Sequence, residues 1–461
     1  MIPCSLLLSH NRTALCVLAF LLFPTIRGQE WVALADGQPD ASGIVQSAVN
    51  SGLGDIHFPK GVYRFKRTVV IDLDQTGVTS ISGNGTARII MAGEGPAFRF
   101  VGTHEGTANP ASFEDAVWER QRMPLIDGIE IVGEHPKASG IEAEGTMQLT
   151  ISRVMIREAL HGIRLTGRNR NVTISDSHIY HNRGVGVFLD HVNLHQINVS
   201  NSHISYNAMG GVVVRGTELR NLQIGTCDIE GNMGDASSTP SANIEIDRSG
   251  INGGEIAITG CTIQHSHDAP GATNILIKGE STERPYSPET KDGNITITGN
   301  VLSDTQVNID ISDSRGVTVT GNTFWKGYAH NLIVRRCENM VVANNVFDRN
   351  PRYHYRDGAE ARLAILFEAC DGLVFQGNLV RGLGDCPVAV TLRNSRHVNM
   401  TGCSILDFGS TGLLWEDVSD SILAHCIIRE TRNDHVGTAT PIRIVGGTGN
   451  QISENLLSPS E

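Results

Sequence analysis

The stretch Ile297-Thr-Gly-Asn300-Val-Leu302 returns 22 residues later as Val319-Thr-Gly-Asn322-Thr-Phe324. The phrase is an apolar residue, two polar or small residues, a key residue, a variable residue and an apolar residue. Its key positions are Ser177, Ser202, Cys227, Cys261, Asn300, Asn322, Asn345, Asn378, Cys403, Cys426 and Asn455. The intervals between them are 25, 25, 34, 39, 22, 23, 33, 25, 23 and 29 residues, which indicates a repeated unit of about 22–25 residues with occasional insertions.

A unit of this length fits one coil of three short strands. A single coil cannot bury its apolar side, but coils stacked at the inter-strand distance of roughly 4.8 Å share a continuous core. A leucine-rich repeat has a similar period but requires a leucine-rich consensus, which this sequence lacks. An antiparallel sandwich would not place one phrase in one position eleven times. The sequence therefore predicts an all-β, right-handed, single-stranded parallel β-helix of about 12–13 coils.

The key position has a physical meaning in such a fold. Asn300, Asn322, Asn345 and Asn378 fall in consecutive coils, so we expect their amides to stack as an internal ladder in which each bonds the next. Cysteine takes the same position in other coils as a small residue that is easily buried. Beyond residue 28 there are seven cysteines without close CxxC spacing, which indicates neither a disulfide framework nor a zinc site.

The N-terminus is typical of an export signal. Arg12 precedes an apolar run from Ala14 to Phe23, and a short segment up to Gly28 follows it. The run is too short to cross a bilayer, and no later stretch is long enough to do so. We expect a signal peptide at 1–28 and a secreted or periplasmic mature chain. A lipid-bound anchor is the alternative, although Cys16 lies in the middle of the run rather than in a lipobox.

The rest of the chain is expected to form one continuous domain, with an N-terminal cap and first coils at 29–102 and the repeats at 103–461. Removal of residues 1–28 would change the formal charge from −12 to about −14. A charge of this sign argues against nucleic acid as a partner. It also gives no general attraction to an anionic polysaccharide, so such a ligand would need a local basic strip.

A helix is expected where the coils begin. Asp36-Gly-Gln-Pro-Asp40-Ala-Ser42 precedes Gly43-Ile-Val-Gln-Ser-Ala-Val49, in which the apolar residues have helical spacing. Asp40 or Ser42 can cap its first turn. The segment Asp55-Ile-His-Phe-Pro-Lys-Gly-Val-Tyr63 then reads as the first strand and its turn. Such an amphipathic helix would cover the open N-terminal end of the core.

This segment, followed by coils, is similar to the start of the pectin-lyase-like superfamily, which includes pectate and pectin lyases, polygalacturonases, alginate lyases and epimerases, and phage tailspikes. The resemblance covers nearly the whole chain beyond residue 28 and implies the β-helix fold and a carbohydrate ligand. Asn308-Ile309-Asp310 resembles the first motif of the polygalacturonase-like hydrolases. Their Gly-His-Gly and Arg-Ile-Lys motifs are absent, as is the Asp-Pro-His-Asp signature of the epimerases, so no specific family is identified.

In this fold, ligands usually lie on the outer face of the strand that follows the variable loop. Alternation places Ile309 and Ile311 inward, so the residues between and after them face solvent. The outward column at the strand end reads Glu144, Thr166, Asp190, Arg215, Asp247, Lys278, Ser312, Arg335, Glu368, Arg393 and Glu416. The column before it reads Glu142, Arg164, Phe188, Val213, Glu245, Leu276, Asp310, Ile333, Leu366, Thr391 and Leu414. Alternating charge favours a structural salt-bridge ladder.

One segment of this face departs from that regularity. Insertions at 231–242, 265–273, 279–292 and 349–362 are expected to form the walls of a cleft. The candidate catalytic residues there are Arg215, Glu245, Asp247, Lys278 and Asp310. The candidate substrate-binding residues are Asp190, His267, Arg335, Tyr353 and His354.

Two chemistries fit these residues. A polysaccharide lyase needs a base and a cation to stabilise an enolate, which Lys278 and Arg215 could supply beside Asp247. A glycoside hydrolase needs two carboxyl groups, and Glu245 and Asp310 would lie roughly 9–10 Å apart on one column, near the upper limit for an inverting pair. No cofactor is indicated with certainty, and assistance by Ca²⁺ stays open.

The leading interpretation is a secreted carbohydrate-active protein that acts on a polysaccharide. The alternatives are a non-catalytic glycan-binding or surface protein and an assembly module. The segment Leu456-Leu457-Ser-Pro-Ser-Glu461 offers no obvious cap, so an oligomer through that end is an open expectation.

Overall fold

Successive coils place their strands in three parallel sheets that run the length of the molecule. The computed structural model describes residues 35–106, 109–247, 253–279, 291–349, 362–383, 386–432 and 437–458. Each strand pairs in parallel with the equivalent strand of the next coil, as Val212–Arg215 does with Ala242–Asp247. The fold is the right-handed parallel β-helix that the repeat predicts.

The strands of the first half are β1 Asp55–His57, β2 Gly61–Phe65, β3 Val69–Asp72, β4 Ser80–Met91, β5 Gly95–Val101, β6 Leu125–Gly133, β7 Ala138–Glu144, β8 Thr146–Met147, β9 Thr150–Ser152, β10 Met155–Arg157, β11 Ile163–Ser175, β12 His178–Tyr180, β13 Val187–Ser200, β14 His203–Ser205, β15 Val212–Arg215, β16 Glu218–Gly225, β17 Asp228–Glu230, β18 Ala242–Asp247, β19 Gly254–Thr259 and β20 Thr262–Gln264. Those of the second half are β21 Thr273–Lys278, β22 Asp292–Thr298, β23 Val301–Ser303, β24 Thr305–Ser312, β25 Ser314–Thr320, β26 Thr323–Phe324, β27 Gly327–Arg335, β28 Glu338–Ala343, β29 Val346–Asp348, β30 Ala364–Glu368, β31 Asp371–Gln376, β32 Leu379–Arg381, β33 Val388–Arg393, β34 Asn399–Thr401, β35 Ser404–Leu406, β36 Thr411–Glu416, β37 Ile422–Ala424, β38 Ile427–Arg429, β39 Thr440–Val445, β40 Gln451–Ser453 and β41 Leu456–Leu457.

We call the three faces sheets A, B and C in the order in which the chain follows them. Sheet A contains β15, β18, β21, β24, β27, β30, β33, β36 and β39 together with their N-terminal equivalents. Sheet B contains β16, β19, β22, β25 and the strands stacked on them, and sheet C contains β17, β20, β23, β26 and theirs. Corner AB joins sheets A and B, and corner CA joins sheets C and A.

The predicted helix caps the N-terminal end of the coils. Helix α1 is Ser42–Asn50, and its Val45, Ala48 and Val49 are buried in the main core. Asp40 accepts the backbone N–H of Ser42 at 3.0 Å, so Asp40 rather than Ser42 satisfies a free donor of the first turn. A short helix α2, Leu73–Thr76, a 3₁₀ turn at Pro110–Ser112 and a π-type turn at Val117–Gln121 complete the helical elements of the described residues.

Branched aliphatic side chains from all three sheets fill the interior. Ile309 and Ile311 are buried, as are Leu332 and Val334 one coil later, which confirms the inward assignment. Parallel sheets buried on the inside require this alternation of inward apolar and outward polar residues. The same alternation fixes which residues of each sheet A strand point outward and form the two columns.

The predicted asparagine ladder is present in the interior. The Nδ2 atoms of Asn300, Asn322 and Asn345 each donate to the Oδ1 atom of the next member, at 3.0, 3.1 and 3.0 Å, and the ladder ends at Asn378. The same Oδ1 atoms accept backbone N–H groups. All four residues are buried, so the ladder satisfies polar groups that would otherwise be unpaired in the core.

A second asparagine ladder, which the repeat did not predict, follows corner CA. Its six amide–amide hydrogen bonds have lengths of 2.7–2.8 Å. Its members are Asn182, Asn207, Asn232, Asn243, Asn274, Asn308 and Asn331. The ladder passes from Asn232, before the first long loop, to Asn243, after it, and so closes the base of that loop.

All seven cysteines of the described residues are free and buried, as expected. They line the interior together with the asparagines, where Cys261 N donates to Asn300 Oδ1 at 3.0 Å. Burial raises the pKa of Cys337 to about 12 and that of Cys370 to about 11. These two thiols are small core residues that stay protonated at neutral pH.

The last described coil exposes apolar side chains at its open face. Ile444, Ile452 and Leu457 are 44%, 42% and 39% exposed, whereas their equivalents one coil earlier are buried. Association through this end stays a prediction. No helix among the described residues is long and apolar enough to cross a membrane. The predicted signal peptide at 1–28 lies outside the described residues.

Candidate functional site

The candidate residues of the described strands lie on sheet A, beside loops that begin at corner CA. In strand register, Asp190 pairs with Arg215, Arg215 with Asp247, and Asp247 with Lys278. The other column passes from Val213 to Glu245, Leu276 and Asp310 in the same way. The loops 231–241 and 265–272 pack on each other through Met233, Ala269 and Ala272. Most of the predicted insertions 279–292 and 349–362 lies outside the described residues, so the cleft stays a prediction. The predicted two-column face is thus present.

Four of the five candidate catalytic residues form one ion-pair cluster. Glu245 accepts from Arg215 Nη2 at 3.4 Å and from Lys278 Nζ at 3.5 Å. Lys278 Nζ also donates to Asp247 Oδ2 at 3.3 Å. The Glu245 side chain is only 7% exposed, whereas those of Arg215 and Lys278 are 43% and 42% exposed. The acid lies beneath its two cations, which cover it from solvent.

Asp310, the fifth candidate catalytic residue, pairs with a candidate binding residue. Arg335 Nη1 donates to Asp310 Oδ1 at 3.2 Å, and Arg335 also faces Glu368 at 3.7 Å. Burial raises the pKa of Asp310, and the nearby charges of Arg335 and Lys278 offset that rise only in part. The carboxyl group is therefore easier to protonate than an ordinary aspartate, although a guanidinium group touches it.

Asp190, a candidate binding residue, belongs to the structural ladder. Its Oδ2 atom accepts from Arg164 Nη2 at 2.6 Å, and its Oδ1 atom lies 2.8 Å from His191 Nδ1. Burial alone would raise the pKa of Asp190, but these hydrogen bonds lower it overall. Its oxygens are occupied by neighbours, so it is a weaker candidate for a ligand contact than Asp310.

His267 lies in the loop 265–272 and is held against sheet A. Its ring stacks on Tyr328 with centroids 3.8 Å apart and an angle of 11°. Gln306 Nε2 donates to the backbone oxygen of His267 at 2.6 Å, which holds the loop against sheet A. The other two candidate binding residues, Tyr353 and His354, lie outside the described residues.

One residue that the sequence reasoning did not single out is His330, on β27. Burial lowers its pKa, and the positive charges of Arg335 and Arg362 lower it further. A neutral imidazole therefore lies near the guanidinium group that touches Asp310. The register of β24 and β27 shifts between Thr305 and Val307, and that of β27 and β30 shifts between His330 and Leu332, so strict alternation from Ile309 does not reach His330.

A metal centre finds no support in the described part of the chain. No three or more His, Cys, Asp or Glu side chains there are grouped so that they could hold a metal ion. His178 and His203, adjacent on sheet C, stack with centroids 5.1 Å apart and rings inclined by 28°, so their nitrogen lone pairs do not converge. The need for Ca²⁺ stays a prediction.

Two family models match parts of the chain. One, described as a right handed beta helix region, matches residues 112–251. The other, described as periplasmic copper-binding protein (NosD), matches residues 243–461. The described residues of that second segment contain no grouping that would fit copper. No curated protein sequence matches the chain.

Solved structures with the same fold include phage tailspikes. The Dettilon tailspike protein is 14% identical over 75% of this chain and 64% of its own, with a TM-score of 0.53. A tailspike mutant of E. coli bacteriophage HK620, in complex with pentasaccharide, is 12% identical over 90% of this chain and 74% of its own, with a TM-score of 0.51. Tailspike protein 2 of Escherichia coli O157:H7 bacteriophage CAB120 is 16% identical over 77% of this chain, with a TM-score of 0.42. This chain spans 41% of that protein's length. The likeness shows the fold.

Proposed function

We propose that this protein is an extracytoplasmic glycoside hydrolase that cleaves a polysaccharide on sheet A, with Asp310 as its general acid. The observation that carries the proposal is that Asp310 lies in the same outward column as Glu245, two strands away. Burial raises the pKa of Asp310, which is the direction that a general acid requires. Its side chain is 22% exposed, which leaves it within reach of a ligand. The tailspike structure with a bound pentasaccharide shares this fold, and the description of the second family model as periplasmic supports an extracytoplasmic location.

Glu245 is the partner carboxylate in this proposal. It precedes Asp310 by two strands in the same outward column, with Leu276 between them. Two strand spacings correspond to roughly 9–10 Å, near the upper limit for an inverting pair with a water molecule between the acid and the base. Glu245 contacts two cations, whereas burial raises the pKa of Asp310, so the two carboxyl groups have different surroundings.

Elimination is supported less well. A lyase base must be free to accept the proton of the substrate, but Lys278 Nζ lies against the carboxylates of both Glu245 and Asp247. Arg215, the cation that would stabilise an enolate, already faces Glu245. Both groups that a lyase would use are thus engaged in one cluster, and neither is the carboxyl group whose pKa is raised.

Non-catalytic glycan binding is the second candidate, and one observation favours it. The charge alternation continues beyond the loops to Arg393 and Glu416, which pair at 2.9 Å. A ladder that extends past the cleft is explained by coil stacking alone. In that case Glu245, which is almost fully covered, would be structural.

The test is a digestion assay with purified protein and a panel of neutral and acidic polysaccharides. Reducing ends without absorbance from an unsaturated product would indicate hydrolysis. Asp310→Asn is expected to lower the rate by about 10²–10⁴. Asp190→Asn, on the same face but within the structural ladder, is the matched control and should retain most of the activity. Saccharide binding with no cleavage of any polymer would support the non-catalytic candidate instead.

A further inference from the structure

Corner AB of the C-terminal half is a stack of residues in the left-handed backbone region. Their φ values lie between +48° and +68°, and they are Asp313, Arg336, Ala369, Asn394, Asp417 and Gly446. The backbone N–H of Arg336 donates to Glu368 O, that of Ala369 to Arg393 O, and that of Asn394 to Glu416 O, each at 2.9 Å. The backbone conformation at this corner therefore repeats from coil to coil. Only the side chain at the left-handed position changes.

Ala369 creates a gap in this stack. It is exposed and lies one coil after Arg336 and one coil before Asn394, both of which carry longer side chains. A cavity of about 590 Å³ opens at this point. Small-molecule sites have volumes of about 300–1,000 Å³, so the cavity is of the size that one or two sugar rings fill.

Alanine is an unfavourable residue for this backbone conformation. Its Cβ atom meets the neighbouring carbonyl oxygen in the left-handed region, which glycine avoids and which asparagine and aspartate tolerate better. The preceding and following corner positions include Asp313, Asn394, Asp417 and Gly446, which follow that preference. Arg336 has the same backbone conformation, so the conformation belongs to the corner as a whole and the feature particular to Ala369 is its short side chain. Ala369 keeps the cavity open at a position where asparagine would fit the backbone better.

The charged walls of the cavity are held by ion pairs. Lys291 Nζ donates to Glu338 Oε1 at 2.7 Å, and Arg396 donates to Asp371 Oδ2 at 2.9 and 2.7 Å. Arg336 binds both oxygens of Asp313, at 2.8 and 2.6 Å. Each cation of the lining thus already has a carboxylate partner. The walls are ordered, and an acidic ligand would have to compete with these carboxylates.

Asn394 and Asp417 offer polar groups to a ligand. Both are exposed, and neither side chain forms a hydrogen bond within the described residues. They lie on adjacent coils, about 4.8 Å apart along the stack. An amide and a carboxylate at this spacing can accept from and donate to the hydroxyl groups of one saccharide ring.

We propose that this corner cavity is a binding site for a neutral saccharide, with Asn394 and Asp417 as its hydroxyl-binding groups and Ala369 as the residue that leaves room for the ring. The site is separate from the ion-pair cluster of sheet A and does not depend on hydrolysis there. It would hold a polysaccharide on the corner beside the cleft.

The experiment measures calorimetric binding of cello-, malto-, xylo- and N-acetylchito-hexaose, with Asp310→Asn as the parent protein so that no ligand is cleaved. At least one hexasaccharide is expected to bind. Ala369→Asn should weaken that binding at least tenfold because its side chain fills the gap, while the midpoint of thermal unfolding stays equal or rises. Asn394→Ala should weaken binding as well. Ala257→Asn, which adds the same side chain on sheet B, is the matched control and should leave the affinity unchanged.

Three results would overturn the proposal. The first is the absence of binding by every hexasaccharide at millimolar concentration. The second is an affinity that Ala369→Asn and Asn394→Ala leave unchanged. The third is tighter binding of an oligouronate than of any neutral hexasaccharide, because the carboxylates of the lining disfavour an acidic ligand.

Discussion

Asp310 and Arg335 lie on adjacent strands of sheet A, with Nη1 of Arg335 3.2 Å from Oδ1 of Asp310, and yet the pKa of Asp310 is raised. Asp190 has a comparable arginine contact at 2.6 Å, and its pKa is lowered. The difference arises because burial dominates at Asp310, whereas short hydrogen bonds to Arg164 and His191 dominate at Asp190. The two aspartates of one sheet face therefore respond to pH in opposite ways.

The first prediction concerns the pH dependence of stability. A carboxyl group with a raised folded-state pKa stabilises the protein at low pH and loses that contribution as the pH rises through the folded pKa. Asp310→Asn should thus be more stable than the wild type at pH 7, and the difference should shrink as the pH falls towards 4. Urea unfolding at several pH values measures this difference.

Asp190→Asn is the control, and its expected effect on the stability at pH 7 is opposite to that of Asp310→Asn. Its ionised form stabilises the fold above the unfolded pKa of about 3.9, and this contribution is lost as the pH falls through the lowered folded pKa. The variant should be less stable than the wild type at pH 7. If the difference in the free energy of unfolding from the wild type did not change with pH for either variant, the raised pKa of Asp310 and the lowered pKa of Asp190 would both be contradicted.

The second prediction concerns the ion pairs of sheet A. Glu416→Gln should change the free energy of unfolding by less than about 0.5 kcal/mol because Arg393 and Glu416 are both largely exposed. Glu245→Gln should cost about 1–2 kcal/mol because Glu245 is covered and faces two cations. Equal effects in denaturant unfolding would show that the cluster at Glu245 is no different from the rest of the ladder.

The third prediction concerns the interior asparagines. Asn345→Ala removes bonds to Asn322, Asn378 and Val319 O and leaves buried partners unpaired. The expected cost is roughly 2–4 kcal/mol in the free energy of unfolding. Gln376→Ala removes an exposed amide one coil later and should change the stability little. A small effect of Asn345→Ala would mean that water replaces the lost bonds.

The fourth prediction concerns the cysteines. In the folded protein, Cys337 and Cys370 should not react with an alkylating reagent at pH 8, since both are buried and burial raises their pKa values to about 12 and 11. After unfolding without reductant, all seven described cysteines should be alkylated, as measured by intact mass. A mass that shows a disulfide, for example between Cys403 and Cys426, would contradict the free thiols.

The fold could be predicted from the sequence because one phrase recurs with a fixed internal order. Asn300, Asn322, Asn345 and Asn378 keep the same place in that phrase, so their ladder was foreseeable. The second ladder was not. Asn182, Asn207 and Asn232 each follow the key residue of their coil by the same number of residues. The remaining asparagines of this ladder come after loops of different lengths, so their distance from the key residue varies.

The candidate site could be predicted only in outline. Alternation from Ile309 predicts that Asp310 points outward. How deeply the Asp310 side chain is buried depends on neighbouring side chains and loops, which do not repeat from coil to coil. The same holds for Glu245, which two flexible cations cover. The side chains that cover an outward residue do not follow the repeat. The sequence alone therefore could not distinguish a carboxyl group that acts as an acid from one that only forms a structural ion pair.

The bond between Asn232 and Asn243 has a consequence for how such a protein can diversify. These residues join across the base of the loop 233–242, with Asn232 Nδ2 2.8 Å from Asn243 Oδ1. The coils above and below are stacked through this bond whatever lies between the two residues. Mutation or recombination that changes the intervening segment is therefore expected to leave the framework of stacked coils intact. The same position would accept a grafted peptide in an engineered chain.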